Sequence, residues 1–144
     1  NLKSIELPAS VGSIGEECFS ECKKLKSISL PEGLTEIPYG AFYLCTSLKA
    51  IHLPESITRI EAYAFNRCRS LKTINIPSQV SRLEECTFYG CRSMKYLDIP
   101  ENVTYIGESA FKKRKIIKYG EWSEDKGVVL FPLFYLSLVT RPYL

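Results

Sequence analysis

The sequence repeats itself every 23 residues over residues 2–116, without an insertion or a deletion. Each unit is called a rung here, and the rungs begin at Leu2, Leu25, Leu48, Leu71 and Met94. A fixed period of about 20 to 50 residues is typical of solenoids, in which each unit packs only on its neighbours. Two columns of residues are identical in all five rungs, a proline at the seventh position and a phenylalanine at the eighteenth: Pro8, Pro31, Pro54, Pro77 and Pro100, and Phe19, Phe42, Phe65, Phe88 and Phe111.

The first part of each rung has the pattern of a short, half-buried strand. In the second rung, Leu25, Ile28 and Leu30 are apolar, and the last two are separated by one polar residue. The next residue, Pro31, has no amide hydrogen to offer a sheet and therefore ends the strand. The sequence predicts one short parallel strand per rung, with the strands side by side on the concave side of the solenoid.

The rest of each rung returns the chain to the start of the next strand. In the second rung the apolar residues Leu34, Ile37, Phe42 and Cys45 are predicted to point into the same interior as the strand. The stretch 41–45 is predicted to form a short helical or 3-10 turn on the convex side.

The last part of the chain departs from the repeat. Residues 1–116 are predicted to form the five rungs, and residues 117–144 a degenerate sixth rung with a capping tail. The reason is that Gly120, Trp122 and Ser123 stand where two apolar residues and the proline are due. The alternatives for the tail are a truncated neighbouring domain, an oligomer contact or a segment foreign to the natural protein. Because the chain starts at Asn1 without a signal peptide, we also expect an excised or processed fragment.

The rung LKSISLPEGLTEIPYGAFYLC, from the second repeat, resembles the BspA-like, or Treponema-type, class of leucine-rich repeats. The resemblance covers residues 2 to 116 and fails where Arg114 replaces the cysteine and in the tail. It implies a leucine-rich-repeat solenoid of the α/β type that is mostly β. It also implies a surface or secreted protein of the kind found in host-associated bacteria and some protozoan parasites, where several members act as adhesins. The resemblance implies binding, but it names no ligand and fixes no binding residues.

Charge and hydropathy narrow the classes of partner. The formal net charge of +3 is too small for a dedicated nucleic-acid binder, so no nucleic-acid partner is expected. The longest apolar run, residues 128–139, is interrupted by Pro132 and is shorter than the roughly 20 residues that span a bilayer. No transmembrane segment is expected.

The cysteines follow the repeat rather than the spacing of a metal site. One cysteine recurs in each of four rungs, and this column is predicted to hold buried, unreactive thiols: Cys22, Cys45, Cys68 and Cys91. No CxxC pair is present and His52 is the only histidine, so neither a metal ion nor another cofactor is expected. The same scarcity of paired acids and bases argues against an enzyme.

The candidate binding residues are those expected to project from the concave sheet and its edge. A lysine follows the leading apolar residue of every rung, and these residues should stack into a column: Lys3, Lys26, Lys49, Lys72 and Lys95. Beside them, His52, Asn75, Tyr96 and Asp98 give the later rungs the most ligand-like chemistry.

Three functions agree with this pattern. The first is a cell-surface or secreted adhesion module that binds a protein, such as a host extracellular-matrix or cell-surface protein, through the concave sheet. The second is a structural spacer without a ligand. The third is binding of a polyanion, such as a sulfated glycan, through the lysine column. The alternative for the lysine column is that it only keeps this edge of the sheet soluble. Oligomerisation through the tail is a further possibility.

Overall fold

The computed structural model describes residues 2–95 and 97–112, and these residues form a stack of short parallel strands and turns. The second, third and fourth rungs each hold two strands, and the first and fifth rungs hold one each within the described part. The strands are β1 (Ser4–Glu6), β2 (Ser27–Ser29), β3 (Glu36–Ile37), β4 (Ala50–Ile51), β5 (Arg59–Ile60), β6 (Thr73–Ile74), β7 (Arg82–Leu83) and β8 (Tyr105–Ile106).

The strands pair in parallel with a register equal to the sequence period. Ser4 pairs with Ser27, and Arg82 with Tyr105, so partners lie one rung apart. The two-stranded sheets β1–β2 and β4–β6 follow one another along the stack where the sequence predicts the strands, and together we call them the first ladder. The two-stranded sheets β3–β5 and β7–β8 follow one another beyond the proline column, and together we call them the second ladder. The predicted fold class is confirmed, and the strands of the second ladder, found in the second to fifth rungs, are an addition to it.

In each rung the chain leaves the second ladder and returns to the start of the next rung through a segment that we call the turn arc, which is residues 38–47 in the second rung. The turn arc contains no helix in the described residues. In the second rung, Tyr43 and Cys45 donate their amides to the carbonyls three residues earlier, at 2.9 and 3.1 Å. Phe42 and Leu44, which alternate with them along the chain, donate their amides to carbonyls of the third rung instead, at 2.8 and 2.9 Å. Because every second amide leaves the rung, the i to i−4 bonds of a helix cannot form. The predicted helical turn is therefore a chain of hydrogen-bonded turns.

Two columns of the turn arc adopt left-handed backbone conformations. They are the sixteenth and twentieth positions of the rung, with φ between 54° and 70°: Glu17, Gly40, Tyr63, Cys86 and Ser109, and Glu21, Leu44, Arg67 and Gly90. This conformation costs roughly 1 to 2 kcal/mol for a residue with a Cβ. Each of these residues from Glu17 to Gly90 donates its own amide to a carbonyl of the next rung, and these bonds hold the backbone in place.

The core runs the length of the stack and is dominated by the phenylalanine column. Phe42, Phe65 and Phe88 are fully buried. The rings lie nearly parallel, with centroids 5.3 to 5.8 Å apart along the column. Parallel rings at this separation are offset-stacked, which suits the ring quadrupole and adds about 0.5 to 1.5 kcal/mol per pair beyond burial.

The first rung is covered on one side only. Leu2 is 42% exposed, whereas its counterpart Leu25 is fully buried. Phe19 and Ile5 are likewise only partly buried. The predicted capping tail and its alternatives lie outside the described residues.

Replacing a central ring of the stack should destabilise the fold more than replacing a terminal one. We expect Phe65→Ala to lower the free energy of unfolding by about 3 to 5 kcal/mol, because it opens a cavity between two stacked neighbours. Phe19→Ala should lower it by less, since Phe19 is partly exposed and has one ring neighbour. Urea unfolding of both variants and of the milder Phe65→Leu measures the difference. Equal losses at the two positions would contradict the stack as described.

The left-handed columns can be tested at Gly40. A Cβ there would lie 3.0 Å from the Cγ of Glu17, at a φ of +59°. We expect Gly40→Ala to lower the free energy of unfolding by about 1 to 2 kcal/mol. Gly33→Ala is the matched control, because a Cβ at Gly33 meets nothing within 4 Å. A loss of the same size in both variants would show that backbone conformation is not the cause.

Candidate binding surface

The outer face of the first ladder is open to solvent and built from small or polar side chains. In β1 and β2 the residues at the third and fifth positions of the rung are exposed, while the isoleucine between them points into the core. The exposed members are Ser4, Glu6, Ser27, Ser29, Ala50, His52, Thr73 and Asp98. We call this surface the first-ladder face.

The five lysines stand as a column along the edge of this face, and all are exposed. Their backbones are tied together: Lys26 donates its amide to the carbonyl of Lys3 at 2.7 Å, and Lys72 donates to Lys49 at 2.8 Å. Lys49 donates to Lys26 at 3.3 Å. Backbone bonds therefore bring at least the first four lysines into one line.

The remaining predicted site residues differ in exposure and in hydrogen bonding. His52 and Asp98 are exposed in the same fifth-position column, two rungs apart. Asn75 lies between them in the same column but is half-buried. The oxygen and the nitrogen of its side-chain carboxamide both form hydrogen bonds with the preceding rung. Its Oδ1 accepts the Leu53 amide at 2.8 Å and its Nδ2 donates to the Leu53 carbonyl at 2.7 Å. Asn75 thus holds two rungs together. Tyr96 lies outside the described residues.

A second charged surface, which the sequence analysis missed, lies along the second ladder. Arg59 forms ion pairs with Glu36, at 3.7 Å, and with Glu61. Arg82 Nε lies 2.8 Å from Glu84 Oε1, and its guanidinium lies 3.9 Å from the ring centroid of Tyr105. These charges are already satisfied within the chain. One feature of the sequence could have indicated this surface. The twelfth position of four successive rungs holds residues that are charged or aromatic: Glu36, Arg59, Arg82 and Tyr105.

Two open clefts lie on this second-ladder surface. One has a volume of about 350 Å³ and the other about 320 Å³. Both clefts are lined in part by Arg59 and Glu61, which form an ion pair with each other. Tyr39, at the rim of the larger cleft, is tilted against Tyr63 with ring centroids 5.6 Å apart. Neither cleft includes a residue of the first-ladder face.

The cysteine column has a structural role that explains the choice of residue. The Cys68 thiol donates to the carbonyl of Phe42 at 3.1 Å, and that carbonyl also accepts the amide of Cys45 at 3.1 Å. Cys45 and Cys91 make the same contact with the rungs before them. Burial, followed by the neighbouring Cys22 thiol, raises the pKa of Cys45 to about 12, and burial raises the pKa of Cys68 as well. Both thiols are therefore neutral near pH 7.

Thiol labelling should follow this order of burial. We expect iodoacetamide at pH 8 to alkylate exposed Cys18 first in the folded protein and to leave Cys45, Cys68 and Cys91 unmodified. The reactive form is the thiolate, and burial both raises the pKa and blocks access. Mass spectrometry of tryptic peptides, before and after unfolding in urea, reads out each site. Alkylation of Cys68 as fast as Cys18 in the folded state would contradict the hydrogen-bonded column.

Among residues 2–95 and 97–112, no three histidine, cysteine, aspartate or glutamate side chains cluster closely enough to hold a metal ion. Over the same ranges no helix has the length and apolarity needed to cross a membrane.

Comparison with known sequences decides the family. The sequence profile of the BspA type leucine rich repeat region matches residues 1–118, in six copies. The chain belongs to this family. Repeats of this kind generally serve as binding or structural modules rather than as catalysts, and the proteins that carry them are typically surface or secreted proteins. No curated protein matches the chain.

Solved structures of bacterial leucine-rich repeat proteins share the fold. The T. pallidum leucine rich repeat protein is 34% identical with a TM-score of 0.58, covering 74% of this chain and 60% of that one. A leucine-rich repeat protein from Bacteroides ovatus is 26% identical with a TM-score of 0.60, covering 82% and 37%. A leucine rich cell surface protein from Faecalibacterium prausnitzii is 26% identical with a TM-score of 0.57, covering 85% and 42%. The chain thus spans less than two thirds of each.

Proposed function

We propose that this chain is the protein-binding module of a cell-surface or secreted adhesion protein, and that it contacts its partner through the first-ladder face. The partner class is a host extracellular-matrix or cell-surface protein. Membership of the BspA type leucine-rich repeat family supports a binding role. The description of the similar F. prausnitzii protein as a cell surface protein supports the location.

The observation that carries the proposal is the contrast between constant and changing columns on the same strands. The inward first, fourth and sixth positions of the five rungs hold only leucine, isoleucine or methionine. The third position instead reads Ser, Ser, Ala, Thr, Tyr, and the fifth position reads Glu, Ser, His, Asn, Asp. A constant scaffold that presents different side chains at a regular spacing is suited to recognising one particular surface.

The first-ladder face also has the groups that a partner could use. Thr73 is exposed on β6 and His52 directly follows β4, so little backbone freedom is lost when these two residues are contacted. Asp98 is exposed in the same column as His52. The second ladder offers less, because Arg59 and Arg82 would have to break ion pairs within the chain before binding a partner. This difference favours the first-ladder face over the clefts.

The proposal can be tested with one pair of matched substitutions in the fourth rung. Thr73→Arg places a long charged side chain in the middle of the first-ladder face, and Ser81→Arg makes the same change beside the second ladder. Both residues are exposed, so neither change disturbs the core. Surface plasmon resonance against immobilised collagen, laminin and fibronectin measures binding. We expect Thr73→Arg to weaken binding by about tenfold or more, and Ser81→Arg to leave it unchanged.

The other outcomes are equally informative. If Ser81→Arg weakens binding and Thr73→Arg does not, the contact lies on the second ladder and the proposal is wrong. If the unmodified chain binds none of the three proteins, the spacer function gains support over adhesion.

A further inference from the structure

The lysine column differs from the rest of the first-ladder face because it does not change from rung to rung. The outward third and fifth positions vary, but the second position is lysine in all five rungs. A repeated residue usually has a packing role, as the inward leucines do. These lysines are exposed, so packing into the core does not account for the repetition.

Ion pairing does not account for the column either. In the described part of the chain, Lys23, Arg59 and Arg82 form ion pairs with glutamates, and no ion pair is found between a carboxylate and one of the five column lysines. Glu55, an acidic residue just beyond the strand of the third rung, points to the next rung instead. Its Oε2 accepts bonds from the amide and hydroxyl of Ser78, both at 3.1 Å. Ion pairs among the described residues therefore leave the column lysines out.

The spacing of the column is set by the backbone. Parallel strands lie about 4.8 Å apart, so five lysines in successive rungs cover about 19 Å. Each ammonium lies at the end of a flexible stem, but the stems start from a regular line because Lys26, Lys49 and Lys72 are each bonded to the preceding lysine. A line of like charges costs some repulsion, which a polyanion bound along it would remove.

We propose that the lysine column binds a linear sulfated polysaccharide laid along the stack, parallel to the solenoid axis. This inference rests on the proposed function as a binding module, and it assigns a second ligand class to a column beside the protein-binding face. An extended chain with a sulfate group at short, regular intervals matches a one-dimensional row of cations. Lysine suits this role because its ammonium is a point charge that follows charge spacing without demanding a planar partner.

The neighbouring side chains favour a polysaccharide over a nucleic acid. Single-stranded nucleic acids are held by aromatic side chains on which the bases stack, beside a basic groove. The described residues next to the lysines in the third-position column are Ser4, Ser27, Ala50 and Thr73, none of which is aromatic. These small side chains offer no platform for base stacking.

The experiment compares two double variants with the same change in net charge. Lys49→Gln with Lys72→Gln removes the centre of the column, and Lys23→Gln with Lys24→Gln removes two lysines outside it. Calorimetric titration with heparin oligosaccharides of increasing length, at low and physiological salt, measures affinity. We expect affinity to rise with length until an oligosaccharide spans about 19 Å. The column variant should bind about tenfold more weakly with a shallower salt dependence, and the control variant should bind as the unmodified chain does.

Three results would overturn the inference. Equal losses in both double variants would mean that overall charge, and not the column, attracts heparin. Equal binding of polyglutamate or duplex DNA would show no preference for a sulfated polysaccharide. Absence of heparin binding at low salt would also exclude it. The two proposals fail separately, because the column variant should retain binding to the matrix proteins when heparin is absent.

Discussion

The structure depends on how the backbone amides of the turn arc are shared between rungs. Alternate amides, such as that of Tyr43, close a turn within their own rung, and those between them, such as that of Phe42, bond the next rung. Each rung therefore leaves half of these donors without a partner until a neighbour stacks on it. A single rung cannot satisfy its own backbone, and the stack is the smallest unit in which the buried polar groups are paired. The fixed 23-residue register of both ladders follows from this sharing, because a shift of one residue would break every bond along the arc.

The sequence predicts the parts of the fold that depend on one rung's side-chain pattern. The leucine and isoleucine spacing locates the first ladder, and the proline column marks where its strands end. The turn arc was predicted less well because its conformation is decided between rungs. The pattern around Ala41 and Phe42 suits a helical turn, but the amides that would close it are taken by the next rung. Strands of two residues, such as β3 and β5, are too short to show alternation, so the second ladder gave no periodic signal.

The candidate site was predictable to a similar degree and for a similar reason. Direction along a strand is fixed by alternation, so the outward positions of His52 and Asp98 and the lysine column could be placed from spacing alone. The carboxamide of Asn75, a candidate binding residue, also bonds both backbone polar groups of Leu53 in the rung before it, a contact that spacing within one rung does not reveal. The ion pairs of Arg59 and Arg82 were also missed, since they join side chains that are two or 23 residues apart on a ladder that was not expected.

Repetition gives the two surfaces of the molecule opposite properties. On the second ladder the outward column changes sign from Glu36 to Arg59, and the flanking glutamates pair with the arginines, so charges cancel locally. At the edge of the first ladder the same residue type is repeated, so charges add. A solenoid repeats the side chain of each outward position at a regular spacing. One exposed lysine has little effect on the surface potential, but a lysine in every rung forms a continuous positive row. The position of a residue within the rung therefore decides whether charge serves to join rungs or is left for a partner.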